Sequence, residues 1–217
     1  MASVTCDDGR SFAFDPETTA MLVIDFQRDF VEAEGGCAID PGETERLAAI
    51  MPTVRESVLA ARTADIEIIH TRESYSSDEI DVTGLKDDMG YVGREGPLGR
   101  CLIRGEPGCD FAPGMEPEDG ELVVDKPGFS AFYETGLQDH LQSRGIRSLI
   151  ITGITFNCCV HSTTRDAIER GYRCLTLKDC CAAGSADLEA AVLSIIRSEG
   201  NLFGWIADSN AFRVSLG

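Results

Sequence analysis

The chain has 217 residues, 43% of them hydrophobic and 26% charged, which suits one folded core and excludes a disordered chain or two full-sized domains. Its net charge of −18 would repel a phosphate backbone, so no nucleic-acid partner is expected. No apolar run reaches the roughly 18 residues that a membrane span requires, so no membrane partner is expected either.

In chain order, five near-continuous apolar runs read as buried strands: Ala20–Asp25 (AMLVID), Ile66–Thr71 (IEIIHT), Glu121–Asp125 (ELVVD), Ser148–Thr152 (SLIIT) and Tyr172–Leu177 (YRCLTL). A sixth is expected around Leu202–Ala207. Runs without polar alternation belong to strands covered on both faces. Helical patterns lie between them. Thr44–Thr63 carries an apolar stripe through Leu47, Val54 and Val58, and Gly136–Arg144 is a shorter helix. Cys158–Arg170 should stop at a left-handed Gly171, and Ala186–Ser198 should end by Gly200. This alternation predicts a three-layer α/β/α fold, a doubly wound, mostly parallel sheet of about six strands, in a single domain over residues 1–217. The stretch 73–120, rich in Gly, Pro and acidic residues, breaks the pattern. So long a loop reads as an excursion over the active site or into a subunit contact, with a mobile surface loop as the plainer alternative.

The opening residues MASVTCDDGRSFAFD have neither the basic start nor the apolar stretch of a secretory signal, so the expected location is cytoplasmic. In a reducing compartment the nine cysteines read mostly as small buried apolar residues. The adjacent pairs Cys158–Cys159 and Cys180–Cys181 lack zinc-ligand spacing, and no metal or cofactor is expected.

Ligands of open parallel sheets bind beyond the carboxyl ends of the strands. Three such ends carry reactive residues: Asp25 in VIDFQRDF, Lys126 in VVDKPGFSAF, and the turn within IITGITFNCCVHSTTRDA. Asn157 reads as the N-cap of the helix that follows, which puts Cys158 and Cys159 in a first turn that favours a thiolate. The two side chains should point about 100° apart, and local physics does not choose between them. A desolvated Asp25 suits proton transfer, and a nearby Lys126 would stabilise a thiolate. Taken singly, each has a plainer reading: a turn-capping aspartate, a surface lysine, a packing cysteine.

Together these segments resemble the isochorismatase-like cysteine hydrolases, over roughly Thr18 to Ala207. VIDFQRDF resembles that family's opening strand, VVDKPGFSAF its lysine segment, and TGITFNCCVHSTTRDAIERGY its nucleophile segment. The family reads Thr-x-x-x-Cys-Val at the last, matched by Thr155, Cys159 and Val160. The resemblance implies a catalytic set of Asp25, Lys126 and Cys159. It also implies a non-proline cis peptide before Thr155, and an oxyanion hole from the backbone N–H groups of Thr155 and Cys159. HTRESY (His70–Tyr75), GPLGRCLIRGEPG (Gly96–Gly108) and KPGFSAFY (Lys126–Tyr133) are most similar to the biuret and triuret hydrolase branch. A small urea-derived amide, with guanylurea among the candidates, is the implied substrate, and Phe26, Phe30, Phe129 and Glu199 are the candidate substrate contacts. Other amidases of the family, acting on ureidoacrylate, N-carbamoyl amines or nicotinamide, are the alternative. Two positions depart from the biuret pattern: Glu199 stands where a Gln is usual, and Phe129 where a second Lys is frequent. The resemblance further implies a homo-oligomer, a tetramer. Two readings from other classes compete: a catalytically silent interaction module on the same fold, and a redox protein using Cys158–Cys159, which lacks C-x-x-C spacing.

Overall fold

The computed structural model describes residues 1–37, 41–77 and 90–217. Ten strands occur among them. Strands β1 (Ala2–Thr5) and β2 (Ser11–Phe14) form an antiparallel hairpin. The main sheet is built from β3 (Thr19–Ile24), β4 (Glu67–Glu73), β7 (Leu122–Lys126), β8 (Ser148–Ile154), β9 (Arg173–Ala182) and β10 (Trp205–Ala207). Between β4 and β7 lies a small ribbon of β5 (Glu95–Gly96) and β6 (Gly99–Arg100). The six main strands run in the order β10-β9-β8-β3-β4-β7, and every neighbouring pair is parallel. This is the expected α/β architecture, with each expected strand within a few residues of its predicted place.

Strand β3 shows why the apolar runs are continuous. All six of its residues are buried, and they alternate between two cores. Met21 and Val23 pack on one face with Val54, Val58 and Ala61 of the helix Met51–Thr63 and with Phe212 of the helix Ser209–Leu216. Ala20, Leu22 and Ile24 pack on the other with residues of three helices, Leu137–Ser143, His161–Glu169 and Ala186–Asn201. Burying a side chain such as Leu22 contributes about 1.5–3 kcal/mol, and truncation to Ala at such a site costs about 2–5 kcal/mol.

Three local readings change. The single helix expected over Thr44–Thr63 is two, Pro41–Ala49 and Met51–Thr63, with Pro52 in the first turn of the second, where its missing N–H costs nothing. The hairpin β1–β2 and the helix Ser209–Leu216 are additional elements. The helix after β8 ends as expected at Gly171, whose φ is +89°.

The strand order reverses beside β3. From β3 the chain moves outward through β4 and β7, then returns to place β8 on the other side of β3. Such a switch opens a crevice at the carboxyl ends of the central strands. Of the 73–120 stretch, residues 78–89 lie outside the described residues, and the remainder is tied to the segment that follows β3. The Asp29 carboxylate, fully buried, accepts from the Gly36 N–H at 2.9 Å and the Leu102 N–H at 2.7 Å. Ala112 N–H donates to Phe26 O at 2.9 Å, and Tyr75 N–H to Leu102 O at 2.9 Å. With Tyr75, Leu102, Ile103 and Ala112 buried in the core, the described part of the excursion is built structure.

Candidate active site

Four strand ends meet in the crevice. Asp25 follows β3 directly, Glu73 ends β4, Lys126 ends β7, and Cys159 lies in the turn after β8. None of the four side chains is more than 2% exposed. Lys126 Nζ lies 2.7 Å from Asp25 Oδ2 and 3.8 Å from Glu73 Oε2, and donates to Gly128 O at 2.9 Å. Asp25 Oδ1 accepts from the Thr71 hydroxyl at 2.6 Å. Cys159 Sγ donates to Glu73 Oε2 at 3.5 Å, and Tyr75 Oη donates to Glu73 Oε1 at 2.7 Å. Gln27 fixes the Glu73 backbone from both sides: its Oε1 accepts from Glu73 N–H at 2.8 Å, and its Nε2 donates to Glu73 O at 2.9 Å.

The structure thus brings Asp25, Lys126 and Cys159 together and adds Glu73, which sequence reasoning missed. The only signal was its place in HTRESY, at the end of an apolar strand running into an acidic stretch. Asp25, Glu73 and Cys159 offer ligand atoms all within 4.8 Å of one another, the spacing of a metal site. The Lys126 ammonium already supplies a cation to this cluster.

The electrostatics differ from the thiolate expected at a helix start. Cys159 is pushed well above the ordinary thiol range by its neighbour Cys158, by burial, and by Asp25 and Glu73, with Lys126 opposing. Its neighbour Cys159 holds Cys158 below that range, although burial opposes it. Burial alone would lower Lys126, but the carboxylates of Asp25 and Glu73 reverse this and raise it. The resting cluster is therefore a protonated thiol beside a firmly charged ammonium.

Two expectations at the nucleophile turn are corrected. No cis peptide precedes Thr155 or occurs elsewhere among the described residues; the chain turns instead through a left-handed Thr155 (φ +54°, ψ +54°). Asn157 is not an N-cap, because Phe156–Val160 already forms a wide π-type turn that runs into the helix His161–Glu169. Cys158 N–H donates to Thr155 O at 2.8 Å, while the Thr155 hydroxyl is buried without a partner.

A cavity of about 300 Å³ opens beside this turn, bounded by Thr155, Asn157 and Cys158 at one side and by Phe30, Glu43 and Phe129 among its other walls. Phe30 and Phe129, two of the residues expected to touch substrate, line this cavity. Phe26 does not: it is fully buried core. Neither does Glu199, which is exposed in the kink that ends the helix Ala186–Asn201 (φ +51°). Cys37, also on the cavity wall, has its sulfur 2.7 Å from that of Cys101 on the excursion. Another cavity, of about 290 Å³, is bounded by Thr19 and Glu67 at the amino ends of β3 and β4, away from these groups.

Residues 19–211 match the model of the isochorismatase domain. The chain belongs to the isochorismatase family. Among its relatives is a ureidoacrylate amidohydrolase, RutB, of Methylorubrum extorquens, 30% identical over 94% of this chain and 85% of the relative. A cysteine hydrolase from Pseudomonas syringae pv. phaseolicola superposes with a TM-score of 0.83 at 25% identity, over 94% of this chain and 95% of that one. The N-carbamoylsarcosine amidase of Thermoplasma acidophilum shares the fold, with a TM-score of 0.67 at 22% identity over 89% and 97% of the two chains.

Proposed function

We propose that this isochorismatase-family chain is a cysteine amidohydrolase that cleaves a carbamoyl C–N bond of a small urea-derived amide, of the biuret, triuret or guanylurea class, and releases ammonia. The observation that carries the reading is the buried Cys159 thiol donating to Glu73 within reach of the Lys126 ammonium. A neutral thiol needs a base at the moment of attack, and Glu73 is the carboxylate that already receives its hydrogen. Asp25, bound to Lys126 and Thr71, holds the cation in place and balances its charge.

The reaction then runs in two halves. The thiol proton passes to Glu73 as sulfur attacks the carbonyl carbon, and the oxyanion forms towards the Thr155–Cys159 turn. The C–N bond breaks, Glu73 returns the proton to the departing nitrogen, and ammonia leaves. Water next adds to the thioester, its proton goes to the cluster, and the C–S bond breaks to give the acid product and the free thiol. No metal and no organic cofactor enters this scheme, since Lys126 supplies the positive charge.

Ureidoacrylate is the second reading, supported by the similarity to ureidoacrylate amidohydrolases. Its carboxylate would need a cationic wall, and the described residues around the cavity include no Lys or Arg. The test is an ammonia-release screen of the purified protein over biuret, triuret, guanylurea, ureidoacrylate, N-carbamoyl amines and nicotinamide, with Cys159→Ser as the blank. Release from a urea-derived amide, absent in the blank, supports the reading; release from none of the carbamoyl compounds overturns it. A homotetramer belongs to the same proposal and is read by sedimentation of the active protein.

A further inference from the structure

The cavity has an end that the chemistry at Cys159 does not use. Glu43, half-buried in the first turn of the helix Pro41–Ala49, faces it together with Thr44. The Glu43 carboxylate is seated against the backbone of Gly184: a Cβ at position 184 would collide with Glu43 Oε1. Among the described residues no cation pairs with Glu43. The nearest along its own helix, Arg46, is held by Glu189 through two hydrogen bonds of 2.9 and 2.6 Å. Independently, the Thr44 hydroxyl has no hydrogen-bond partner although Thr44 is only 4% exposed. A half-buried carboxylate without a cationic partner on a cavity wall favours a ligand that brings one. The other walls include the aromatic side chains of Phe30 and Phe129, which suit a flat, delocalised cation.

We propose that Glu43, with Thr44 beside it, determines specificity by binding the end of the substrate remote from the scissile bond, and that this end is an amidinium- or guanidinium-type cation. The inference rests on the carbamoyl-amide reading and narrows it. An ionised carboxylate only accepts hydrogen bonds, so it matches a group presenting N–H donors and repels a second carboxylate. Within the urea-derived amides this selects guanylurea-like compounds over neutral biuret, and both over anionic ureidoacrylate.

The experiment compares wild type, Glu43→Gln and Glu43→Asp for kcat/KM on guanylurea, biuret and ureidoacrylate. Losing a charge-assisted hydrogen bond in a partly buried site is worth roughly tenfold to a hundredfold. Glu43→Gln is expected to lose that much on guanylurea while biuret changes by only about threefold or less, and Glu43→Asp to recover part of the loss. A guanylurea-to-biuret ratio that stays the same in Glu43→Gln overturns the proposal. A second measurement does not need turnover. Guanidinium chloride is tested for protection of Cys158, on the same cavity wall, against iodoacetamide, with potassium chloride at equal ionic strength as the control. Protection in wild type that is lost in Glu43→Gln supports the subsite even if no amide is hydrolysed, in which case the amidohydrolase reading alone fails. Equal protection by the two salts overturns the subsite.

Discussion

The thiol of Cys159 points its hydrogen at Glu73 Oε2, 3.5 Å away, while Asp25 is bound to Lys126 and Thr71. The two carboxylates of the cluster are thereby separated in role by geometry: one faces the sulfur, the other the ammonium. Glu73→Gln keeps the shape and the Tyr75 contact but removes the base. A positioned general base contributes typically about 10²–10⁴-fold, so kcat is expected to fall by that order with KM little changed. Steady-state kinetics on the best substrate from the ammonia screen checks this. Retention of more than about a third of kcat would return the proton to Asp25.

The two adjacent cysteines should separate cleanly. Cys159→Ser is expected to abolish turnover and keep the fold, whereas Cys158→Ser keeps substantial activity. Alkylation should run the opposite way. Cys158 is half-buried with its thiol held low, and Cys159 is buried with its thiol held high, so iodoacetamide at neutral pH should label Cys158 first. Peptide mass spectrometry after short exposure distinguishes them, and faster labelling of Cys159 would contradict the arrangement.

Removing one partner of a buried ion pair strands the other. Asp25→Asn or Lys126→Met alone is expected to destabilise the fold by about 3–5 kcal/mol, and the double variant by clearly less than the sum. Urea denaturation of the three variants measures this. Additive losses would mean that the 2.7 Å contact contributes no coupling.

His70 makes stability depend on pH. It is 2% exposed, its Nε2 lies 3.1 Å from Glu121 Oε2, and burial holds its pKa below the ordinary 6.5. The unfolded chain therefore takes up a proton that the folded chain refuses. Stability is complete above the ordinary value and falls as the pH drops beneath it, by up to about 1.4 kcal/mol per pH unit for one such group. His161, lowered by burial and by Arg165, acts in the same direction. Denaturation midpoints at about pH 7.5 and about pH 5.5 should differ accordingly, and His70→Gln should shrink the difference. An equal slope in the variant would assign the effect elsewhere.

Cys37 and Cys101 form the closest pair of thiols among the described residues, 2.7 Å apart. Diamide, which takes two hydrogens as it becomes a hydrazine, is expected to convert them to a disulfide. Two free thiols disappear, the protein loses the mass of two hydrogens, and dithiothreitol reverses both. Cys101→Ala should remove that change, and a cross-link persisting in it would involve other cysteines.

Much of this was written into the chain in a form that local rules can read. Strands buried on both faces must be apolar throughout, so β3 and β8 stand out, and the fold places their ends together once strand and helix alternate. Lys126 and the Cys158–Cys159 turn were legible for that reason, and only the resemblance singled out Cys159. Glu73 was not, because a carboxylate opening a Gly- and Pro-rich stretch looks like a surface residue, and only the braces from Gln27 and Tyr75 show it to be buried. Glu199 failed in the opposite sense: proximity in a motif says nothing about which way a left-handed kink turns its side chain. The hairpin β1–β2 had a signal that was passed over, the pair Asp8-Gly9 between alternating apolar residues.

Asp25 and Thr155 each follow a strand of the sheet in left-handed backbone, φ +61° and +54°. For a β-branched threonine that conformation costs about 1–3 kcal/mol. Directed evolution scored on melting temperature alone will therefore be drawn to position 155, where glycine relaxes the turn, and not to position 25, where any gain in the backbone is outweighed by the stranded Lys126. The clones it recovers would survive heat better and turn over more slowly, because the relaxed turn is the one that carries the nucleophile. Thermal hardening of this chain should be sought at the amino ends of the strands, with positions 25 and 155 held fixed in the library.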